Sequence, residues 1–413
     1  MMRKTPLKCV FVITSMPVGG AETLLVNLMR RFDPTKVRPE IVCLKEPGPL
    51  GEQIAEEFPV HSGLLRSKYD LMVVPRLVHL FRTHDIDGVI TVGAGDKMFW
   101  GRLAAFLARV PVTASALHST GWPDGVGRLN RLLTPLTDAF IAVADAHGEF
   151  LRSFERFPAE KVRVIRNGID CQRFQHDRAA ARDVRLELGI APETPLVGIV
   201  AALRPEKNHP LLLDAAARLR NAPQSCPAPE FLIIGDGPER DTIANLRDDL
   251  GLTDHVHMLG NRSDTPRLLS ALDVFALCSF NEASPVSILE ALACETPVVA
   301  TNVGSISETV LDEKTGFLVP SGDAARLASA IDNLLKDPEK RQMMGRQGRQ
   351  HVLATGSLQS MVESYESLVG SIFRRHASFR PGLFSRCTRG AHAVTQALLS
   401  GLFRWRRKTP TNI

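Results

Sequence analysis

The sequence predicts an α/β protein built from two doubly wound domains in tandem. Two observations carry this. Short apolar runs of strand length alternate with runs of helical periodicity along most of the chain. The alternation breaks at a charged stretch without strand character, 177–189, and then resumes. The length, 413 residues, accommodates two or three domains, and an apolar content of 44% suits a large buried core. The division that follows is 1–180, 181–355, and 356–413 for a closing helix and tail.

The elements read in order as follows. Residues 8–14, with Cys9-Val10-Phe11-Val12-Ile13, form a strand, and 21–32 place Leu25, Leu28, Met29 and Phe32 at helical spacing. Residues 40–44 form a strand, 71–81 a helix and 88–92 a strand, and a helix then runs through 108. Strands at 112–117, 139–143 and 162–165 close the first series before the turn Asn167-Gly168-Ile169-Asp170. The second series has strands at 196–202, 230–234, 255–259, 274–278, 297–300 and 316–319. Its helices fall at 211–220, 240–250, 288–293 and 324–335, and a further helix spans 357–373. A cleft between two such domains is a usual ligand site.

Several classes are excluded. No stretch of 18 uninterrupted apolar residues marks a membrane span. The apolar run at 9–13 is too short for a signal peptide and is followed at once by Pro17-Val18-Gly19-Gly20. Seven scattered cysteines, none paired as C-x-x-C, fit free thiols in a reducing cytoplasm better than disulfides or zinc. Neither a G-x-G-x-x-G dinucleotide fingerprint nor a G-x-x-x-x-G-K-[ST] phosphate loop is present. The net charge of +5 hides an asymmetry: from Ser367 onward there are nine Arg and Lys and no acid, so the rest carries −4. Val394, Leu398, Leu399, Leu402 and Phe403 share a helical face just before Arg404-Trp405-Arg406-Arg407-Lys408. Such a tail suits peripheral contact with an anionic membrane, or a solubilising segment that packs on the body. No nucleic-acid partner is expected.

The chemistry-bearing residues cluster where strands meet helices. Glu282 lies in a loop after the 274–278 strand, and Glu290 lies on the helix that follows. Helical side chains lean toward their own N-terminus, so Glu290 is aimed back at the Glu282 loop. Ser284, Pro285 and Val286 open that helix. Arg204 and Lys207 follow the first strand of the second series, where two cations suit a diphosphate or a solvated basic turn. Gly235 follows the next strand and would let a ligand approach, or simply make a turn. Gly19 and Gly20 precede the first helix and leave amides for an anion, while Glu22 reads as a first-turn acid favourable to the helix dipole. His118 ends the 112–117 strand on the cleft side.

The ordered set resembles the GT-B glycosyltransferases, and within them the retaining family 4. The matching pieces are Gly19-Gly20-Ala21-Glu22, His118, Asn167-Gly168-Ile169-Asp170, Arg204 with Lys207, Gly235-Asp236-Gly237-Pro238, Glu282 with Glu290, Gly304-Ser305-Ile306-Ser307-Glu308 and Gly316-Phe317-Leu318-Val319-Pro320. Three positions depart from the pattern: Ala283 and Ser305 stand where glycine is usual, and Leu203 precedes Arg204. The resemblance implies two Rossmann-like domains facing across a cleft, the N-terminal one toward the acceptor and the C-terminal one holding a nucleotide-sugar donor, a UDP-sugar. Glu282, His118, Arg204 and Lys207 would be catalytic. Gly19, Gly20, Arg204, Lys207, Gly235, Ser284, Pro285, Val286 and Glu290 would bind donor, with Glu290 on the ribose and Glu282 on the transferred sugar. It further implies retention of configuration, no metal and no cofactor. The acceptor would be a saccharide or a lipid-linked molecule in surface polysaccharide or glycolipid assembly, at the cytoplasmic face of the membrane. A nucleotide-sugar 2-epimerase or a non-catalytic sugar-nucleotide-binding protein are the alternatives.

Overall fold

The computed structural model describes residues 6–67, 70–93, 95–118, 127–221 and 227–378. The basic tail from 379 onward, and with it the expected membrane contact, lies outside the described residues. So do 68–69, 94, 119–126 and 222–226.

Among the described residues, thirteen strands build two sheets. The first holds β1 (Leu7–Ile13), β2 (Val37–Cys43), β3 (Val60–His61), β4 (Gly88–Val92), β5 (Val112–Ala116), β6 (Ala139–Ala142) and β7 (Val162–Val164) in the order β3-β2-β1-β4-β5-β6-β7. The second holds β8 (Leu196–Val200), β9 (Glu230–Ile234), β10 (Val256–Gly260), β11 (Val274–Leu277), β12 (Val298–Thr301) and β13 (Gly316–Val319) in the order β10-β9-β8-β11-β12-β13. Neighbouring strands are parallel throughout. Strands covered by helices on both faces bury nearly every side chain, which is why they read as unbroken apolar runs. Phe11, Val12, Ile90 and Phe140 in one sheet and Leu232, Ile233, Val274 and Phe275 in the other are all buried.

The order decides where a ligand can sit. In each sheet the direction of winding reverses once, between β1 and β4 and between β8 and β11. Helices leave opposite faces there, and a crevice opens outside the strand carboxyl ends. The loops flanking the two reversals are those that carry Gly19–Gly20, Gly93, Arg204–Lys207 and Glu282.

Three differences from the sequence reading have simple causes. The charged stretch near 177–189 is a helix, Arg178–Glu187, capped by the Asp177 carboxylate, which accepts from the Ala179 and Ala180 amides. It buries Val184 alone, so its periodicity is hard to see. The edge strand β3 has only two residues, too few for a pattern. The Pro338–Thr355 helix also passes unnoticed, since two of its four buried positions are glycines, Gly345 and Gly348.

The chain crosses between the halves twice, and the crossings touch. The Ile169 amide donates to Gly356 O at 2.9 Å and the Leu358 amide to Ile169 O at 3.0 Å. Gly168 is required there: a Cβ would stand 2.3 Å from Ser357 O. The final helix, Leu358–Ser378, then packs Leu358, Met361, Val362, Tyr365, Val369 and Ile372 into the core of the first sheet.

Candidate active site

Glu282 is the best-anchored acid in the cleft. It is 8% exposed, and its Oε1 accepts from Lys207 Nζ at 2.6 Å and from Ser279 Oγ at 2.7 Å. Ser279 is fixed in turn, its carbonyl accepting from Thr301 Oγ1 at 2.7 Å. Behind the acid, the Gly304-Ser305 turn presses on the loop. The Ser305 amide donates to Glu282 O at 3.2 Å, and its hydroxyl donates to Ala283 O. Gly304 adopts φ +57°, and a Cβ there would lie 1.8 Å from Glu282 O. Ala283 takes no positive φ and buries its methyl, so a glycine is not needed at that position.

Lys207 therefore arrives paired. It lies in a single turn, Pro205–Lys207, after β8, and Asn208 ends that turn at φ +51°. The Phe280 amide donates to Glu206 O at 2.9 Å, which ties the cation loop to the Glu282 loop. Arg204, at the head of the turn, is exposed. Directly below, His209 is fully buried, and burial, then Lys207, push its imidazole down to about 4.

Glu290 has a different setting. It sits on the Val286–Ala293 helix with Ile288, Leu289 and Ala291 buried around it. Burial pushes its carboxyl up to about 7, against the nearby Arg173 guanidinium. The two acids thus have different surroundings, Glu282 held by Lys207 and Ser279 and Glu290 placed near Arg173. Ser284, Pro285 and Val286 lie where that helix meets the first half: Asn167 Nδ2 donates to Ser284 O at 3.0 Å. A Cβ on Gly20 would reach Val286 Cβ at 4.0 Å.

On the opposite wall, Gly19 precedes the Gly20–Arg31 helix, and a Cβ there would meet Glu22 Oε2 at 2.5 Å. Glu22 is thus folded over the glycine rather than spread into solvent. Burial raises its carboxyl above the usual range, opposed by its own amide and by Lys97 and Arg204. His118 stands at the end of β5, and burial, then His147 and Lys97, push it down to about 4, so at neutral pH it is a neutral imidazole. Gly235 is explained by the fold itself: at φ +138° its Cβ would lie 2.1 Å from Ala201 O, within the same half.

Lys97 and Arg173 escaped the sequence reading, which took Glu22 only as a first-turn acid. Glu22 and Lys97 charge the glycine wall, and Arg173 faces Glu290. Glu308, seen only as part of a motif, accepts from the Asp145 and Ala146 amides at 2.8 and 2.6 Å. It thereby caps the Asp145–Ser153 helix of the other half. Its sequence signal was the motif position, but its partner lies 162 residues away. A cavity of about 220 Å³ lies beside this clasp, lined by Arg166, Asn167, Ser284, Glu308, His351 and Thr355. Ser284, which opens the Val286–Ala293 helix, is one of its lining residues.

The comparisons agree with this geometry. The profile described as Glycosyltransferase Family 4 matches residues 18–173, and that of Glycosyl transferases group 1 matches 182–351. The D-inositol 3-phosphate glycosyltransferase of Salinispora tropica is 32% identical over 368 residues, 83% of this chain and 74% of the relative. The chain belongs to glycosyltransferase family 4. A second relative of this glycosyltransferase is the GDP-mannose-dependent alpha-(1-6)-phosphatidylinositol monomannoside mannosyltransferase of Mycolicibacterium smegmatis, 29% identical over 68% of this chain and 75% of the relative. Anabaena HepE, solved in complex with UDP-glucose, superposes with a TM-score of 0.78 over 88% of this chain and 100% of HepE, at 24% identity. That likeness establishes the GT-B fold of the two facing sheets.

Proposed function

We propose that this glycosyltransferase moves a sugar from a nucleotide-sugar donor, a UDP-sugar, to a saccharide or lipid-linked acceptor, with retention of configuration and without a metal. The observation that carries this is the Lys207–Glu282 pair, held at 2.6 Å beside Arg204 at the second topological reversal. A diphosphate entering there meets two cations at the end of a parallel strand. As the sugar–phosphate bond breaks, charge grows on the leaving oxygen, and cations already fixed in place stabilise it without reorganising. Glu282 keeps Lys207 in position and turns its second oxygen to the sugar. Glu290, when ionised, accepts from the ribose hydroxyls. Neutral His118 offers the sugar hydrogen bonds rather than charge.

Support also comes from relatives: HepE was solved with UDP and UDP-glucose, and the mannosyltransferase relative is named for a GDP-sugar. The acceptor and the assembly of surface polysaccharide or glycolipid are part of the proposal, as is peripheral placement at the cytoplasmic face of a membrane. Among the described residues no helix is long and apolar enough to cross a membrane.

The test is a thermal-shift and hydrolysis screen over UDP-, GDP- and other nucleotide sugars with EDTA present. Stabilisation and slow hydrolysis with one nucleotide family, and an α-linked product from an α-donor by NMR, are the expected results. No binding to any donor overturns the reading. Epimerised donor without acceptor would replace transfer with isomerisation.

A further inference from the structure

Far from the cleft, three side chains meet at the edge of the first sheet. Glu40 lies in β2, four residues before Leu44 and two before Val42, so it shares their face. His61 ends β3 and pairs in register with Val42, which places it beside Glu40. His84 caps the Val73–Thr83 helix that covers this face. Glu40 Oε2 lies 3.0 Å from His61 Nε2 and 3.2 Å from His84 Nδ1, and the three candidate ligand atoms fall within 4.8 Å of one another. The rings meet edge to face, with centroids 4.6 Å apart.

The geometry points to a binding site for a divalent transition-metal ion of the zinc type, held by Glu40, His61 and His84. With zinc–nitrogen and zinc–oxygen bonds of about 2.0–2.1 Å, a tetrahedral site has ligand–ligand edges of roughly 3.3 Å. Two edges of that size are already present. Glu40 is buried, which shields the negative charge, while His84 is partly exposed and leaves a path for the ion and room for a water as fourth ligand. Burial alone would raise the Glu40 carboxyl, but the His61 hydrogen bond, with His84, His61 and Lys8 nearby, holds it below the usual range. Lys8 is the opposing charge, but its ammonium is tied to His84 O at 2.8 Å. Entry of the ion moves each ring proton to the outer nitrogen.

The second half supplies an internal contrast. Glu230 also meets two histidines, but it gives Oε1 to His255 Nδ1 at 3.2 Å and Oε2 to His257 Nε2 at 2.7 Å. Those rings occupy different oxygens and do not converge. The site at Glu40 would tie the two-residue edge strand β3 to β2 and to the helix end. It would act on the stability of the first half rather than on transfer.

The experiment uses the untagged full chain, stripped with a chelator, dialysed, and titrated with Zn²⁺ by calorimetry and with Co²⁺ by visible absorption. One equivalent should bind, Co²⁺ should give the intense bands of a four-coordinate ion, and Mg²⁺ should not compete, since these ligands favour softer ions. Saturating Zn²⁺ should raise Tm by roughly 5 °C. His61→Asn, Glu40→Gln and the partly exposed His84→Asn, each checked for fold by circular dichroism, should weaken binding by roughly tenfold or more. His255→Asn should change nothing. The proposal is overturned by absent saturable binding, by binding that survives the His61 and His84 substitutions, or by a Tm that ignores Zn²⁺.

Discussion

The two halves share one scaffold and differ in what stands at its strand ends. After β1, β4 and β5 come Gly19–Gly20, Gly93 and a neutral His118, with Glu22 and Lys97 set back in the following helices. After β8 and β11 come Arg204, Lys207 and Glu282 themselves, with Glu290 on the next helix. The first half presents shape and backbone, and the second presents fixed charge. Charge in a half-buried site must be paired or hydrogen-bonded, which is why the second half spends a serine, a threonine and a glycine turn on holding Glu282. The first half carries glycines at its strand end instead, and Gly20 lies against Val286 of the other half.

The sharpest break of this contrast is Lys207→Ala. Turnover should fall by about 10²–10³-fold, the loss typical of a donor that stabilises developing charge. Stability should drop only modestly, and Glu282→Gln in the same chain should restore it, because an unpaired acid is removed. Turnover equal to the parent would take Lys207 out of the site. Next comes Gly304→Ala. Its Cβ cannot fit 1.8 Å from Glu282 O, so the loop must shift, and a displacement near 1 Å costs about 10²-fold in turnover. Retained activity with an unchanged Tm would show that the loop tolerates movement.

Glu308→Ala tests whether the halves act together. Losing both amide bonds should weaken nucleotide affinity by about tenfold, a typical coupling between sites, while circular dichroism stays unchanged. Affinity unchanged by calorimetry would make Glu308 a surface cap only. The smallest effect is in pH. A carboxyl pushed up to about 7 goes from roughly one-tenth to nine-tenths ionised between pH 6 and pH 8. If the ionised form takes the ribose, nucleotide affinity should rise severalfold over that window, and Glu290→Gln should flatten it. The sign follows for stability too. With its carboxyl raised in the folded state, Glu290 favours folding below about pH 4.5 and loses that contribution as pH climbs through 7. A wild-type affinity that is flat or falls with pH removes Glu290 from the ribose role.

Much of the fold was legible because parallel strands buried on both faces read as continuous apolar runs, and β4, β9 and β13 fall on the expected residues. The short β3, and the Pro338–Thr355 helix that packs through glycines, leave too little periodicity to read. The candidate site was legible as residue types at strand ends. Glu22 shows the limit: an acid in a helix's first turn has an ordinary explanation, and only its place over Gly19, facing Lys97 and Arg204, makes it part of the cleft.

What the sequence determined alone is the layout of strands and helices, and the placing of Arg204, Lys207, Glu282 and Glu290 in loops and helix starts. Local pattern governs those, because burial and turn chemistry act over a few residues. Tertiary structure decided the pairing of Lys207 with Glu282 across 75 positions, and of Glu308 with the Asp145 and Ala146 amides. It also decided that Glu40, His61 and His84 meet on one oxygen. Hydrogen bonds and charges act over a few ångströms of space, and no spacing along the chain encodes which distant groups the winding brings within that reach.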